Sequence, residues 1–395
     1  MISKWENKEL GKLFEFSNGI NFSSKEKGSG LLTVDVKNMY SNVLDVNMKH
    51  LYRVNKKVPR TKLLQKGDIL FVRSSVKKEG IGWPAIFPGY NEDVSYCGFI
   101  IRGRPVGEQF DPRFLTYFLR QAHVRMAVVN ESGSTALTNI SQPRLGSIKV
   151  PLPPLSEQKR IAAILDKADA IRRKRKAALD MADEFLRATF LDMFGDPVTN
   201  PKGWDVKPLG EVIATIRNGL SPSTKGTYPG KVFTLSAVTG ADFLPKAKKE
   251  ALFDKDPTTY EATSNDFLIC RGNGNLKLVG KAKFPKGNYQ GITFPDTVIA
   301  ANVLTEIILP EVLEAQWATF FIRDQIERGA RTTNGTHKIN QSVIKNIEVA
   351  IPDMKAQLAF KKNVQGMSRY LSKTTNAHAD TLFASLSQRA FQGKL

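Results

Sequence analysis

Apolar and polar positions alternate along this chain in blocks that come in the same order twice. Leu31–Val36, Asp68–Arg73 and Tyr96–Arg102 are apolar-rich runs with Gly and Pro between them, the pattern of strands. Arg113–Val129 has the spacing of one amphipathic helix. Further on, Asp266–Arg271 and Val298–Leu309 read as strands, and Val312–Gly329 as a second amphipathic helix.

Between these blocks lies a much longer helical signal. Pro151-Leu152-Pro153-Pro154 is an extended breaker, Ser156 suits an N-cap, and Glu157 falls in the first turn. No Pro or Gly follows until Gly195, which suits the left-handed position just past a helix, with Pro197 barring continuation. At about 1.5 Å per residue, Ser156–Phe194 spans roughly 58 Å. Ile161, Ile164, Ala168, Ile171, Ala178, Ala182 and Phe185 fall on one stripe of three-to-four spacing, interrupted by Arg175. Lys355–Arg389 repeats the pattern more weakly, with Phe360, Val364, Met367, Leu371, His378 and Leu382 on the stripe and Gly366 softening it.

The duplication extends to individual residues. Trp5 with Leu10-Gly11 recurs as Trp204 with Leu209-Gly210, and Asn18-Gly19 as Asn218-Gly219. Asp68–Arg73 recurs as Asp266–Arg271, and Leu115–Arg120 as Ala318–Arg323. Ile140, Gln142, Leu145, Ile148, Val150, Pro153 and Gln158 recur as Ile339, Gln341, Ile344, Ile347, Val349, Pro352 and Gln357. The order is kept and the offset stays between 198 and 203 residues, which marks an internal repeat.

The fold class is therefore α+β, with an internal pseudo-two-fold repeat. Two similar mixed α/β modules, 1–150 and 196–349, are separated by two long helices, 151–195 and 350–395. One such helix is too narrow to bury its stripe alone, so the two are expected to pack as an antiparallel coiled coil. The alternative is that each packs only on its own module.

Charge narrows the function. The 395 residues carry 58 Lys and Arg against 38 Asp and Glu, a net charge of +20. The four segments carry +10, +2, +3 and +5 in chain order, so the surplus is no appended tail. An anionic polymer is indicated, nucleic acid before an acidic membrane surface, with plain solubility as the other reading. No apolar run reaches the roughly 18–20 residues of a membrane span, and the polar start Met1–Trp5 has no secretory core. Cys97 and Cys270 are the only cysteines, which fits a reducing cytoplasm.

Catalytic motifs are missing. Asn200-Pro201-Lys202-Gly203 and Arg271-Gly272-Asn273-Gly274 come nearest to an adenine-holding tetrapeptide and a cofactor loop, and neither fits. There is no phosphate-binding loop of an ATP motor. Pro295-Asp296 and Pro352-Asp353 lack the following acidic and lysine residues of a nuclease and read as turns. His50, His123, His337 and His378 have no metal-ligand spacing and single out no triad.

What remains is a set of polar loops at matching places. Arg73, Ser74, Ser75, Lys77 and Lys78 follow a strand, as do Arg271, Asn273, Asn275 and Lys277 in the second copy. Asn18 and Asn218 lie near the start of each copy, and Ser134, Arg331 and Asn334 follow each copy's amphipathic helix. These side chains suit base-edge and phosphate contacts, though Asn-Gly also fits a solvated turn. The run Arg172–Lys176 wraps its helix and suits a DNA backbone, an acidic protein surface or bulk water equally.

Pro151-Leu152-Pro153-Pro154-Leu155-Ser156-Glu157-Gln158-Lys159-Arg160-Ile161 leading into a long helix resembles the conserved region of type I restriction-modification specificity subunits. Gly67–Arg73 and Gln388–Leu395 resemble the same family's strand-loop signature and C-terminus. The resemblance implies that each module is a target recognition domain for one half of a split site in double-stranded DNA. It implies that the helices fix the gap and dock two methyltransferase subunits, with Ile161, Ile164, Ala168, Ile171, Phe185, Phe360, Val364, Met367 and Leu371 as pairing residues. S-adenosylmethionine, ATP and Mg are then expected on partner subunits, including ATP-dependent restriction subunits, and no catalytic site on this chain. Ile351–Gln357 lacks the tandem prolines and the Glu-Gln pair, which makes the second helix the more divergent. A recognition subunit of a type IIB-like restriction-methylation enzyme and a coiled-coil scaffold with protein-binding ends are the alternatives.

Overall fold

A computed structural model describes residues 5–130, 138–333, 335–374 and 379–395. Its contacts divide the chain into two compact units. Unit 1 is Met1–Ala177 with Asn376–Leu395, and unit 2 is Ala178–Thr375.

In unit 1 a four-stranded antiparallel sheet runs in the order Phe14–Asn18, Ile100–Pro105, Ile69–Val72, Pro84–Ile86. A three-stranded sheet places Lys27–Val34 between Tyr52–Val54 and Val94–Tyr96, the latter pairing parallel. Ile69, Leu70, Phe71 and Val72 are all buried. A strand covered on both faces reads as a continuous apolar run, which is why Ile69–Val72 is uniform. Unit 2 repeats the four-stranded sheet in the equivalent order: Ile213–Asn218, Val298–Val303, Asp266–Cys270, Ala282–Lys283. In each unit an outer two-stranded pair ties start to end: Glu6–Glu9 with Lys149–Leu152, and Asp205–Pro208 with Glu348–Ile351.

The α+β class holds, but several element boundaries move. Leu31–Val36 is the end of a strand that stops at Val34, and Val36 opens a short helix, Val36–Met39, capped by Asp35. Tyr96–Arg102 splits at the turn Cys97–Phe99, its halves joining different sheets. Val298–Leu309 is strand only to Val303; Pro310 then starts a helix. Neither amphipathic helix is continuous. Unit 1 has Pro112–Leu119 and Ala122–Asn130, and unit 2 has Pro310–Trp317 and Phe320–Gly329. Thr319 makes the corner in unit 2, with extended backbone and its hydroxyl donated to the Gln316 carbonyl at 2.6 Å.

The central helix is Leu155–Phe194, one residue longer than predicted at its start. Ser156 lies inside the first turn, because the Pro154 carbonyl already accepts from the Glu157 and Gln158 N–H groups at 2.9 and 3.1 Å. Gly195 ends it with φ +80° and an N–H bond to the Leu191 carbonyl. A Cβ there would come within 2.5 Å of Pro201. The second long segment consists of helices Met354–Thr374 and Ala379–Phe391; His378 lies outside the described residues.

The long helices pack together. Within unit 1 the first part of the central helix meets Ala379–Phe391 in antiparallel sense, with Arg160 bonded to the Leu395 carbonyl, Arg172 over the Phe383 ring and Arg175 3.6 Å from Asp380. Phe391 also packs on Phe114 and Phe118 at 5.4 Å between centroids, so this helix completes the core of unit 1. Within unit 2, Phe190 and Phe194 meet Phe360 at 5.8 and 5.5 Å.

The pairing stripe is displaced from the predicted one. Ile161, Ala168 and Ala182 are buried and Ile164 half-buried, but Ile171 is 45% and Phe185 51% exposed. The buried row is Ile161, Ala162, Leu165, Ala168 and Asp169, then Ala182, Phe190 and Phe194. Asp169 tolerates burial because Arg172 and Arg173 both donate to it. Phe360 is buried, Val364, Met367 and Leu371 half-buried, and Leu382 exposed.

Candidate nucleic-acid interface

In both units the polar loop grows from the same scaffold. After the buried strand Ile69–Val72, the Arg73 N–H bonds the Phe99 carbonyl at 2.8 Å, and the Arg73 carbonyl accepts from the Ile140 N–H at 2.9 Å. In unit 2 the Arg271 N–H bonds the Thr297 carbonyl at 2.8 Å, and its carbonyl accepts from Ile339 at 2.9 Å. The next two residues, Ser74–Ser75 and Gly272–Asn273, form short strand pairs with Thr138–Asn139 and Thr336–Lys338. A single helical turn follows in each, Lys78–Gly80 and Leu276–Leu278.

The side chains on this scaffold are placed differently. Arg73 and Arg271 are half-buried, each with one guanidinium nitrogen 3.4 Å from a carbonyl, Gly98 and Asp296 respectively. Ser74 is buried and bonded to the Asn139 side chain, so it shapes the loop. Ser75 is half-buried, and its hydroxyl accepts from the Lys77 N–H. Lys77, Lys78 and Lys277 are exposed. Asn273 accepts from the Asn275 N–H, and Asn275 from the Lys277 N–H, two successive side-chain turns.

The Asn-Gly pairs serve a close approach. A Cβ on Gly19 would lie 2.0 Å from the Cys97 carbonyl oxygen, and one on Gly219 2.1 Å from that of Pro295. Only glycine lets the end of each first strand pass this turn. Asn18 is half-buried and accepts from Gln142 at 3.0 Å, whereas Asn218 is exposed. Arg331 is exposed on a hairpin strand of unit 2. Ser134 and Asn334 lie outside the described residues.

Three exposed apolar residues escaped the sequence reading. Val76 at the tip of the unit 1 loop is 86% exposed, Phe99 56% and Tyr40 46%. With Ser75, Lys77 and Trp83 they line an open cleft of about 750 Å³. A valine between Ser75 and Lys77 was the available signal; Phe99 and Tyr40 come from other loops.

Of the basic run, Arg172 and Arg173 are engaged by Asp169 and Arg175 by Asp380; Lys174 and Lys176 are exposed. Burial pushes the Cys97 thiol up to about 12 and the Cys270 thiol to about 11, so neither is a thiolate at neutral pH. Among the described residues no cluster of three His, Cys, Asp or Glu is placed to hold a metal, and no helix is long and apolar enough to cross a membrane.

The sequence pattern of type I restriction modification DNA specificity domains matches residues 2–181. The chain is 26% identical over 357 residues to the specificity subunit of the type I restriction enzyme EcoKI from Escherichia coli K12, covering 83% of this chain and 75% of that one. It is 25% identical over 355 residues to the StySPI specificity subunit of Salmonella potsdam, covering 83% and 74%. Its fold is similar to the crystal structure of a type I S subunit from M. genitalium, with a TM-score of 0.58 at 13% identity over 100% of this chain and 96% of that one. This chain is similar to type I restriction-modification specificity subunits over 83% of its length, and residues 2–181 match their DNA specificity domain. It is the DNA specificity component of such a system and a non-catalytic part of the complex.

Proposed function

We propose that each unit reads one half of a bipartite site in double-stranded DNA. The observation that carries this is the loop scaffold built twice, around Arg73 and around Arg271, with the same backbone bonds and different side chains. A fixed scaffold with exchanged side chains is what two readers of unlike half-sites need. Lys77, Lys78 and Lys277 neutralise phosphates and make binding strongly salt-dependent. Arg73, Arg271 and Asn273 reach base edges, each good two-pronged pair giving about 1–3 kcal/mol of discrimination. Two weak readers on one chain bind tightly together, because the second contact is intramolecular.

In this reading 1–150 and 196–349 are the recognition domains, and 151–195 with 350–395 form the spacer. The spacer also docks two methyltransferase subunits, and the exposed Ile171 and Phe185 suit that role. S-adenosylmethionine sits on those subunits, ATP and Mg on restriction subunits, and the assembly works in the cytoplasm. The test is selection from random DNA duplexes by the full chain in its native complex. Two short constant sequences at one fixed separation are expected; a single contiguous motif would overturn the two-reader account.

A further inference from the structure

Resting on that reading of unit 1, we propose that its cleft recognises the 5-methyl group of a thymine in the major groove, with Val76 and Phe99 as the contacting residues. The matched scaffold locates their counterparts in unit 2. Phe99 and Thr297 supply the carbonyl bonded by Arg73 and Arg271. Gly82 and Gly280 bond back to the Val72 and Cys270 carbonyls, so Trp83 corresponds to Lys281 and Val76 to Gly274. Tyr40 follows the short helix Val36–Met39 as Gly240 follows Ser236–Thr239. Valine, phenylalanine, tyrosine and tryptophan in unit 1 thus stand where unit 2 has glycine, threonine, glycine and lysine.

Trp83 packs on the unit 1 core and under Arg120, but the fold makes no such demand for Val76 and Phe99. Unit 2 builds the same loop with glycine and threonine in their places. A valine left 86% exposed beside an exposed phenylalanine gains nothing from the core, and exposed apolar groups gathered around one cleft mark a contact surface. The charge around it selects the partner. Lys77 and Lys78 are exposed on the same loop, and Arg73 is at its base. Asp35, also in the cleft wall, is committed to capping the Val36–Met39 helix, its carboxylate accepting from the Val36 N–H at 2.7 Å. Glu79 is the one exposed acid among the described lining residues. A basic rim around an apolar patch fits a duplex groove. Among unmodified bases, thymine alone presents an apolar group on its major-groove edge. Unit 2, with Gly274 and Thr297 in these places, lacks that reader.

The test is selection by the full chain in its native complex from two random duplex libraries, one with thymidine and one with deoxyuridine throughout. Deoxyuridine keeps every base-pair hydrogen bond and removes only the methyl. The wild type is compared with V76G/F99T, which installs the unit 2 residues, and with the milder Val76→Thr. The exposure of Val76 and Phe99 leaves the core untouched, and an unchanged urea midpoint checks this. The expected result is a preference for thymine over uracil of roughly four-fold, the equivalent of about 0.8 kcal/mol for one buried methyl. It falls at a defined position of one half-site only, shrinks in Val76→Thr and vanishes in V76G/F99T. Equal selection of thymine and uracil in both halves overturns the proposal, as does a preference that survives in V76G/F99T. Loss in that variant of preference for all bases at one position, without uracil sensitivity, would mean stacking on an extruded base and overturns it too. Failure of both libraries to yield any motif would overturn the DNA-reading account itself.

Discussion

Arg217 and Asp266 form a two-pronged ion pair in unit 2, with guanidinium nitrogens 2.9 and 2.8 Å from the two carboxylate oxygens. Asp68 holds the matching place in unit 1 and is likewise gripped twice, at 2.9 and 2.8 Å, but by Arg104. Arg217 lies on the strand Ile213–Asn218, whereas Arg104 lies on Ile100–Pro105, the partner of the corresponding first strand. Both aspartates also accept from an N–H three residues earlier, Gln65 and Thr263, at 2.8 Å. The buried carboxylate that opens the central strand is common to both units, and its counter-charge reaches it from different strands.

That carboxylate gives unit 2 an acid-sensitive joint. Burial works to raise the Asp266 carboxyl, but hydrogen bonds from Arg217 and the Thr263 N–H outweigh it and hold the group below its ordinary value of 3.8. A depressed native value means the stabilisation is complete above about pH 4 and is lost as the pH falls further. Asp266→Asn is expected to cost about 3 kcal/mol at neutral pH by stranding Arg217, and to flatten the fall below pH 4. Urea unfolding of both proteins between pH 3 and 7 checks this.

Gln158 and Gln357 brace their helices in the same way. Each is fully buried. Gln158 accepts from the Asp111 N–H at 2.9 Å and donates to the Pro153 carbonyl at 2.8 Å. Gln357 accepts from Leu309 and donates to Ile307 and Pro352, at 2.8 to 2.9 Å. Replacing Gln357 by Leu leaves these backbone groups buried without partners, at about 3 kcal/mol. A lowered urea midpoint with unchanged slope is the expected result.

Arg73→Ala and Arg271→Ala are each expected to relax base preference in one half-site, by about 1–3 kcal/mol at the contacted base. The other half keeps its preference. Competition binding with duplexes altered in one half at a time measures this. A uniform loss on every duplex would assign the arginine to phosphate.

Inserting four residues after Ala178, about one helical turn, is expected to lengthen the preferred gap and leave both half-site sequences alone. Selection from duplexes with graded spacers reads the change directly, and an unchanged gap removes the ruler role.

The repeat, the α+β class and the packing of the long helices were legible because they rest on spacing and on residues that recur in order. The corners at Arg120 and Thr319 were not, because apolar spacing runs through them and only the tertiary contacts show the turn. Ile171 and Phe185 misled for a related reason. On a helix of 40 residues a three-to-four stripe drifts between adjacent rows, and the row that is buried includes Asp169, which pattern reading rejects. At the candidate interface the matched loops were visible as strings. The bond from Gln142 to Asn18 and the convergence of Tyr40, Val76 and Phe99 depend on segments far apart in sequence.

In the proposed function this chain supplies two half-site readings to a DNA-modifying complex. Single-molecule sequencing of methylated adenines in the source cell, with the gene intact and deleted, reads both halves at once. The expected result is loss of one split motif, two short sequences at a fixed gap, with other methylation unchanged. An identical methylation pattern in a strain shown to express the complex would contradict it.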